Sequence, residues 1–439
     1  MNVPRVPPRA VAVIGSGVAG LTAAYVLSRS CKVVLYEADN RIGGHAHTHL
    51  VEQGDGSSVA VDSAFLVHND RTYPTLCRLF QELGVATQET DMSMSVRAER
   101  SGFEYAGSRG VRGLFPSLGA VQPRHIMMLA EVAKFHRAAA QLLRSGPDEE
   151  EPLGEFLARH SFSRRFTDYF MTPLVAAVWS CDPRDALRYP ARFLFVFLEH
   201  HGMLSVFGSP TWRTVTGGSA RYVERIAARL SEVRTNAPVR SVRRVAGGVS
   251  VQAAAEPPRH FDAAVIAAHS DQALAMLAEP TADERRILGK MAYSTNHAQL
   301  HTDASLLPKH RFARASWNYL IPAAAHGSEG VLVTYDISRL MRVRGADGRR
   351  FLVSLGAERR VAPESVIAEM TYHHPLYTPE FVAAQRSLPT LGDDRVVFAG
   401  AYHGWGFHED GAASGLRAAQ RLGADWKTAE AGREELAQC

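Results

Sequence analysis

Close to the N-terminus, the apolar run Val11-Ala12-Val13-Ile14 leads directly into Gly15-Ser16-Gly17-Val18-Ala19-Gly20. The run reads as a buried strand, a GxGxxG turn follows, and Leu21-Thr22-Ala23-Ala24 opens a helix. Strand, tight turn and helix in that order begin a dinucleotide-binding βαβ unit. Gly15 permits the turn, Gly17 lets backbone approach a pyrophosphate, and Gly20 allows the helix to pack closely on the strand. Ala19 shares the first helical turn, whose free N–H groups favour an anion. A second strand, Lys32–Tyr36, ends at Glu37, placed to accept hydrogen bonds from ribose hydroxyls and to disfavour a 2′-phosphate. GxGxxG alone also occurs in structural turns; the flanking strand, helix and terminal Glu select dinucleotide binding here.

Past Glu37 and Ala38, the pair Gly43-Gly44 supplies a second stretch of backbone able to approach a diphosphate. This extension resembles the amine-oxidase and phytoene-desaturase families of flavoproteins, and the resemblance implies non-covalently bound FAD. It covers most of the chain. Thr216-Gly217-Gly218-Ser219 looks like the family's glycine turn, Val233–Val239 like the strand and loop that read adenine, with Val239 the contact, and Phe261–Ala268 like its buried strand. Near the C-terminus, Arg395–Gly400 and Asp410-Gly411-Ala412-Ala413-Ser414-Gly415 resemble the strand and small-residue helix whose N-terminus faces the flavin pyrimidine. Oriented N–H dipoles there stabilise the negative charge that reduction places on the ring. One departure stands out: Ala401 occupies the place where amine oxidases usually carry Glu. A bacterial amine-oxidase-like subgroup is closer still, through Gly43–Thr48, Ala315-Ser316-Trp317-Asn318-Tyr319 and Gly400–Gly411. Members of that subgroup often accompany cyclopropane-fatty-acid-synthase-like methyltransferases, which implies a lipid or polyketide-like substrate.

The expected fold is α/β: a Rossmann-like FAD-binding domain with an inserted α+β substrate domain. A motif at each end assigns 9–75, 211–275 and 391–439 to the FAD-binding domain. The insert comprises 76–210, mainly helical, and 276–390. Apolar residues at helical spacing predict helices over Met127–Leu143 and Phe162–Trp179, while Val233–Ala268 reads as short strands with a turn at Ala246-Gly247-Gly248. Val331–Tyr335 and Phe351–Leu355 read as further strands.

Net charge is +4, so nothing calls for a nucleic-acid or anionic-membrane partner. The four cysteines, Cys31, Cys77, Cys181 and Cys439, form no CxxC pair, which argues for a reducing compartment. The Pro-rich start lacks the apolar core of a signal peptide, and no run suffices for a membrane span. The expectation is a cytoplasmic protein acting on a small, hydrophobic molecule, its oligomeric state open.

For chemistry at the flavin, Trp405 and Phe407 are read as walls of the substrate cavity, or alternatively as packing for their loop. His408 and Glu409 are the candidate general bases; Glu409 could equally cap a helix. His45, His47 and His49 have period-two spacing that would align them on one strand face. Contact of His45 or His47 with flavin or phosphate is favoured over plain packing. A metal site ranks below both, and a covalent flavinyl-histidine below all of these. The segment Asp62–Asn69 is a candidate for touching flavin or substrate. Many amine oxidases use a Lys near flavin N5. None of Lys32, Lys134, Lys290, Lys309 and Lys427 aligns with that position, Lys290 coming nearest, which weakens an amine-oxidase assignment and leaves desaturation or isomerisation open. Trp179, Phe193, Phe195, Phe197 and Phe207 supply bulk for an apolar tunnel, or for ordinary core. The favoured activity is an FAD-dependent dehydrogenase, desaturase or oxidase moving a hydride to flavin N5. The alternatives are an amine oxidase proper and a non-redox isomerase or flavin-binding accessory protein.

Overall fold

The structure is a computed structural model that describes residues 8–145, 151–204, 208–254, 256–323 and 330–426. Phe207, Lys427, Cys439 and the Pro-rich start up to residue 7 lie outside the described residues.

Five parallel strands form the central sheet: β1 (Ala10–Ile14), β2 (Lys32–Tyr36), β3 (Glu232–Arg234), β4 (Ala263–Ile266) and β5 (Val396–Phe398), in the order β3-β2-β1-β4-β5. Val13 lies in register between Leu35 and Val265. Parallel strands covered on both faces read as continuous apolar runs, and Val11, Ala12 and Val13 are accordingly fully buried. Three helices matter to the site: α1 (Val18–Leu27), α2 (Pro74–Leu83) and α3 (His408–Arg421). Every residue of α1 is buried.

Glycine sets how closely α1 and α3 approach. A Cβ on Gly415 would sit 2.1 Å from the Ala19 carbonyl oxygen, and one on Gly411 would sit 2.6 Å from Val18 Cγ1. The two halves of the Rossmann-like unit, far apart in sequence, are thus in backbone contact.

A second, seven-stranded sheet runs in the order 366–375, 293–301, 352–355, 333–336, 317–321, 94–98, 103–106. All neighbours are antiparallel except Trp317–Ile321 with Met94–Ala98. Helices Pro123–Arg144, Leu153–Arg159 and Ala191–His200 pack through Phe135, Phe156 and Phe195, with ring centroids 4.8–5.2 Å apart. The turn at Ala246-Gly247-Gly248 joins Val239–Val245 to Gly248–Ala253, with Gly247 at φ +83.

The uninterrupted helix expected over Phe162–Trp179 is corrected. Arg164–Phe166 passes into a wider π-helical turn, Thr167–Met171, before Thr172–Trp179. Pro173 lacks the N–H that would reach back to the Tyr169 carbonyl. That carbonyl instead accepts the Tyr105 hydroxyl at 2.7 Å, tying the helix to the seven-stranded sheet.

Replacing glycine by alanine inside a helix ordinarily stabilises it by about 1 kcal/mol. Gly415→Ala should do the opposite, lowering stability by about 1–3 kcal/mol in urea unfolding, because its Cβ meets backbone rather than a movable side chain. Gly54→Ala, with nothing within 4 Å of the added carbon, should be neutral.

Candidate functional site

The site grows from the turn between β1 and α1. Gly15 has φ +98, and its N–H donates to Tyr36 O at 2.8 Å. A Cβ on Gly20 would lie 1.9 Å from Gly15 O, so Gly20 is required for packing. Gly17 is different: nothing lies within 4 Å of its would-be Cβ, and its φ of −62 suits any residue. The fold therefore does not need glycine at 17, whereas a ligand lying against the backbone would. No side chain caps the N-terminus of α1, although Val18 and Ala19 are buried. Buried helical N–H groups without an acceptor fit a diphosphate.

Gly43 and Gly44, at φ +117 and +56, close over this turn. Gly43 N–H donates to Ser16 O and Oγ at 3.1 and 3.0 Å, and a Cβ on Gly44 would sit 3.0 Å from Gly17 Cα. Glu37 accepts from the Ser16 N–H and hydroxyl on one oxygen, and from Asp39 N–H at 3.0 Å on the other. Exposed Ala38 follows it. Val239 lies beside this corner, because Ala237 N–H donates to Glu37 O and Asn236 N–H to Asp39 O. The Thr216–Ser219 turn docks on buried Asp62, which accepts the Ser219 N–H and hydroxyl, and burial pushes its carboxyl up to about 6.

On the C-terminal side, Gly400 N–H donates to Ser414 Oγ at 2.9 Å, tying the end of β5 to α3. Ala412 is fully buried beside Gly411. The two glycine turns, one near each terminus, thus share one corner of the molecule.

The three histidines do not align on one strand face as expected. Only His49 lies in the strand Thr48–Glu52, and His45 and His47 precede it. His47 Nδ1 is 3.1 Å from the Tyr372 hydroxyl, which is 2.8 Å from Ser63 Oγ, itself 3.0 Å from His49 Nε2. His45 turns away against Tyr372 and His374, at centroid distances of 4.9 and 5.3 Å. Its Nε2 is buried without a partner. Burial, then His374, lowers its pKa well below the usual value, so the imidazole is neutral.

Both candidate bases are engaged by their neighbours. Glu409 caps α2, its oxygens accepting the Thr75 and Leu76 N–H groups at 2.9 Å each. His408 stacks on Phe65, 3.7 Å between centroids, and its Nε2 is 3.1 Å from the Tyr222 hydroxyl. Burial, with a smaller contribution from His68, lowers its pKa to about 3, far from operating pH. Asp410 accepts Phe407 N–H at 2.9 Å and folds over Gly404. Lys290 is exposed just past the helix Ala282–Leu288.

Trp405 and Phe407 border a cavity of about 560 Å³, with Arg71, His200, His201 and Asp410 among its other lining residues. Phe407 stacks on Phe197 at 4.9 Å, and Trp179 Nε1 donates to Trp405 O at 3.0 Å. The Trp405 indole N–H is buried and unpartnered. Trp179, Phe193 and Phe197 therefore reach this wall, whereas Phe195 belongs to the helical core. Tyr222, Tyr372 and His374 escaped the sequence reading. Each sits in an otherwise ordinary amphipathic helix or strand and joins the site only through tertiary packing.

Burial raises the Asp410 carboxyl from 3.8 to about 7. Between those values the folded chain keeps a proton that the unfolded chain has lost, so this stabilisation is complete below pH 4 and gone above about 7. Buried neutral histidines tilt the total curve the other way, so the readout is a difference. Urea unfolding across pH 4–8 should show wild type losing stability relative to Asp410→Asn as pH rises through that window.

A family model for flavin containing amine oxidoreductases matches residues 18–312. The putative flavin-containing monoamine oxidase AofH of Mycobacterium tuberculosis is 29% identical over 253 residues, 55% of this chain and 53% of the relative. Protoporphyrinogen oxidase 2, chloroplastic/mitochondrial, of Arabidopsis thaliana is 27% identical over 226 residues, 48% of this chain and 41% of the relative. The matches thus span about half the length of these curated relatives. Cyclohexylamine oxidase from Brevibacterium oxydans has the same fold, with a TM-score of 0.67 at 16% identity over 95% of this chain and 99% of that one. So does a CLA-producing fatty acid isomerase from P. acnes, with a TM-score of 0.67 at 16% identity over 92% and 96%. With two thirds of its length matched by the family model, this chain belongs to the flavin-containing amine oxidoreductase family, whose cofactor is FAD.

Proposed function

We propose that the chain is an FAD-dependent oxidoreductase that takes a hydride equivalent from an apolar or lipid-like substrate to flavin N5. The observation that carries this reading is the pairing of open space at Gly17 with backbone contact between α1 and α3. FAD, when bound, supplies the hydride chemistry. The protein binds, orients and excludes water. Gly15, Gly17, Ala19 and Gly20 would hold the diphosphate against α1, with Gly43 and Gly44 closing from the other side. Glu37 and Ala38 would face the ribose and Val239 the adenine. Gly400, Asp410, Gly411 and Ala412 would meet the flavin ring at the start of α3, where His45 offers its free Nε2. Segments 9–75, 211–275 and 391–439 would form the FAD-binding domain, and 76–210 with 276–390 the substrate domain.

Trp405 and Phe407 would wall the substrate side, and His408, held neutral, would orient rather than titrate. Tyr73, Trp405 and Phe407 give the cavity an apolar wall, beside Arg71, Glu199, Glu409 and Asp410. None of the four described lysines, Lys32, Lys134, Lys290 and Lys309, lines the cavity beside Trp405 and Phe407. The small net charge fits an enzyme with no nucleic-acid partner, and the scattered cysteines fit a cytoplasmic one. Among the described residues no helix is long and apolar enough to cross a membrane. The similar fold of a fatty acid isomerase keeps non-redox isomerisation as the second reading.

Anaerobic mixing of the FAD-loaded protein with unsaturated or methyl-branched fatty acids, and separately with amines, separates these readings. Bleaching near ~450 nm by the lipids alone supports the proposal. Bleaching by amines alone replaces it with amine oxidation, and product without net bleaching or an electron acceptor replaces it with isomerisation. Gly17→Ala should fold with little change in apo-protein thermal stability yet lose FAD binding by at least about tenfold, since only a ligand requires that space. A variant that keeps its yellow colour would remove the turn from the cofactor site.

A further inference from the structure

One stretch of surface, apart from the flavin site, departs from ordinary burial. Between the strand Phe103–Ala106 and the first turns of the helix Pro123–Arg144, five apolar residues are exposed: Val111 (74%), Leu118 (93%), Val121 (55%), Ile126 (51%) and Met127 (68%). Elsewhere among the described residues only Leu50 and Ile367 are large, apolar and exposed. The stretch is anchored from beneath. Ala120 and His125 are buried, and His125 Nε2 is 3.0 Å from Leu114 O. The apolar tips therefore project from a fixed base.

Their surroundings carry one sign of charge. From Tyr105 to Ala130 the sequence has no Asp or Glu but has Arg109, Arg112 and Arg124. The neighbouring Pro308–Arg314 adds exposed Lys309 and Arg311, again with no carboxylate. Arg112 and Arg311 both lie over the Phe312 ring, 5.5 and 4.7 Å from its centroid. Nearby acids are already engaged, Asp91 with Arg109 itself, which leaves Arg112 and Arg124 to carry the charge of the stretch. Glu104 is buried, accepting from Lys309 and His310 N–H; Asp91 pairs with Arg109 and Arg339; Glu131 accepts Ser163 N–H.

We propose that this face docks on the surface of an anionic lipid bilayer. Apolar side chains at the tips would enter the interface while the flanking cations meet lipid phosphates, the division of labour seen in interfacial anchors. A symmetric contact with a second copy would set the same cations against one another. A nucleic acid would leave Leu118 and Met127 without a partner. The inference does not depend on the substrate reading above, and each can fail alone.

The test sediments the full-length FAD-loaded protein at low salt with vesicles of phosphatidylcholine, alone or mixed with phosphatidylglycerol. Wild type should pellet with the mixed vesicles and much less with the neutral ones. Leu118→Ser combined with Met127→Ser should lower the partition coefficient at least about tenfold. Arg112→Glu combined with Arg124→Glu should erase the preference for anionic lipid, and Leu50→Ser, on another face, should bind as wild type. These positions are exposed, so thermal stability and flavin content should not change, and both are measured alongside. Failure of wild type to pellet with anionic vesicles, full binding by the Leu118/Met127 variant, or a dimer that this variant splits would overturn the proposal.

Discussion

The architecture turns on the close approach of α1 and α3, where Gly411 and Gly415 let one helix lie on the backbone of the other. Two helices separated by most of the chain can meet this closely only if one of them lacks side chains at the contact. Once they meet, the order of the five-stranded sheet follows, with β1 at its centre and β5 reached through β4. The remaining strands and helices must leave between these two ends and return. The same contact brings both helix N-termini to one corner, which gives a single dinucleotide access to two sets of oriented N–H groups.

Around that corner the protein has removed charge rather than supplied it. His45, His374 and His408 are held neutral by burial, and the Asp62 and Asp410 carboxyls are pushed toward their neutral forms by the same cause. Desolvation costs stability unless something is gained, and a dry, uncharged environment strengthens every dipole aimed at a bound cofactor. The buried but unpartnered His45 Nε2 and Trp405 indole N–H are consistent with that arrangement, since each is a polar group with no acceptor or donor of its own.

Much of this was legible in the sequence because glycine carries position-specific information. Gly15, Gly20, Gly43 and Gly44 each perform a backbone task that no other residue could, so their spacing alone implied the turn. Side-chain roles were less legible. Glu409 looked like a base or a cap, and only the placement of α2 beneath it shows which helix it caps. His408 looked titratable until Phe65 and Tyr222 were placed against it. The π-turn at Thr167–Met171 depends on Pro173 and on a tyrosine from another element, a combination that local periodicity does not encode. Residues whose function is set by their own backbone were visible early. Those whose function is set by a neighbour distant in sequence were not.

A crystal structure of the chain loaded with FAD addresses the central claim most directly. The account predicts one flavin per chain, its diphosphate against the Gly17 backbone beneath Gly44 and its ring at the first turn of α3. Density for FAD that contacts only one of these turns, or a chain that crystallises from excess FAD with neither turn occupied, would contradict it.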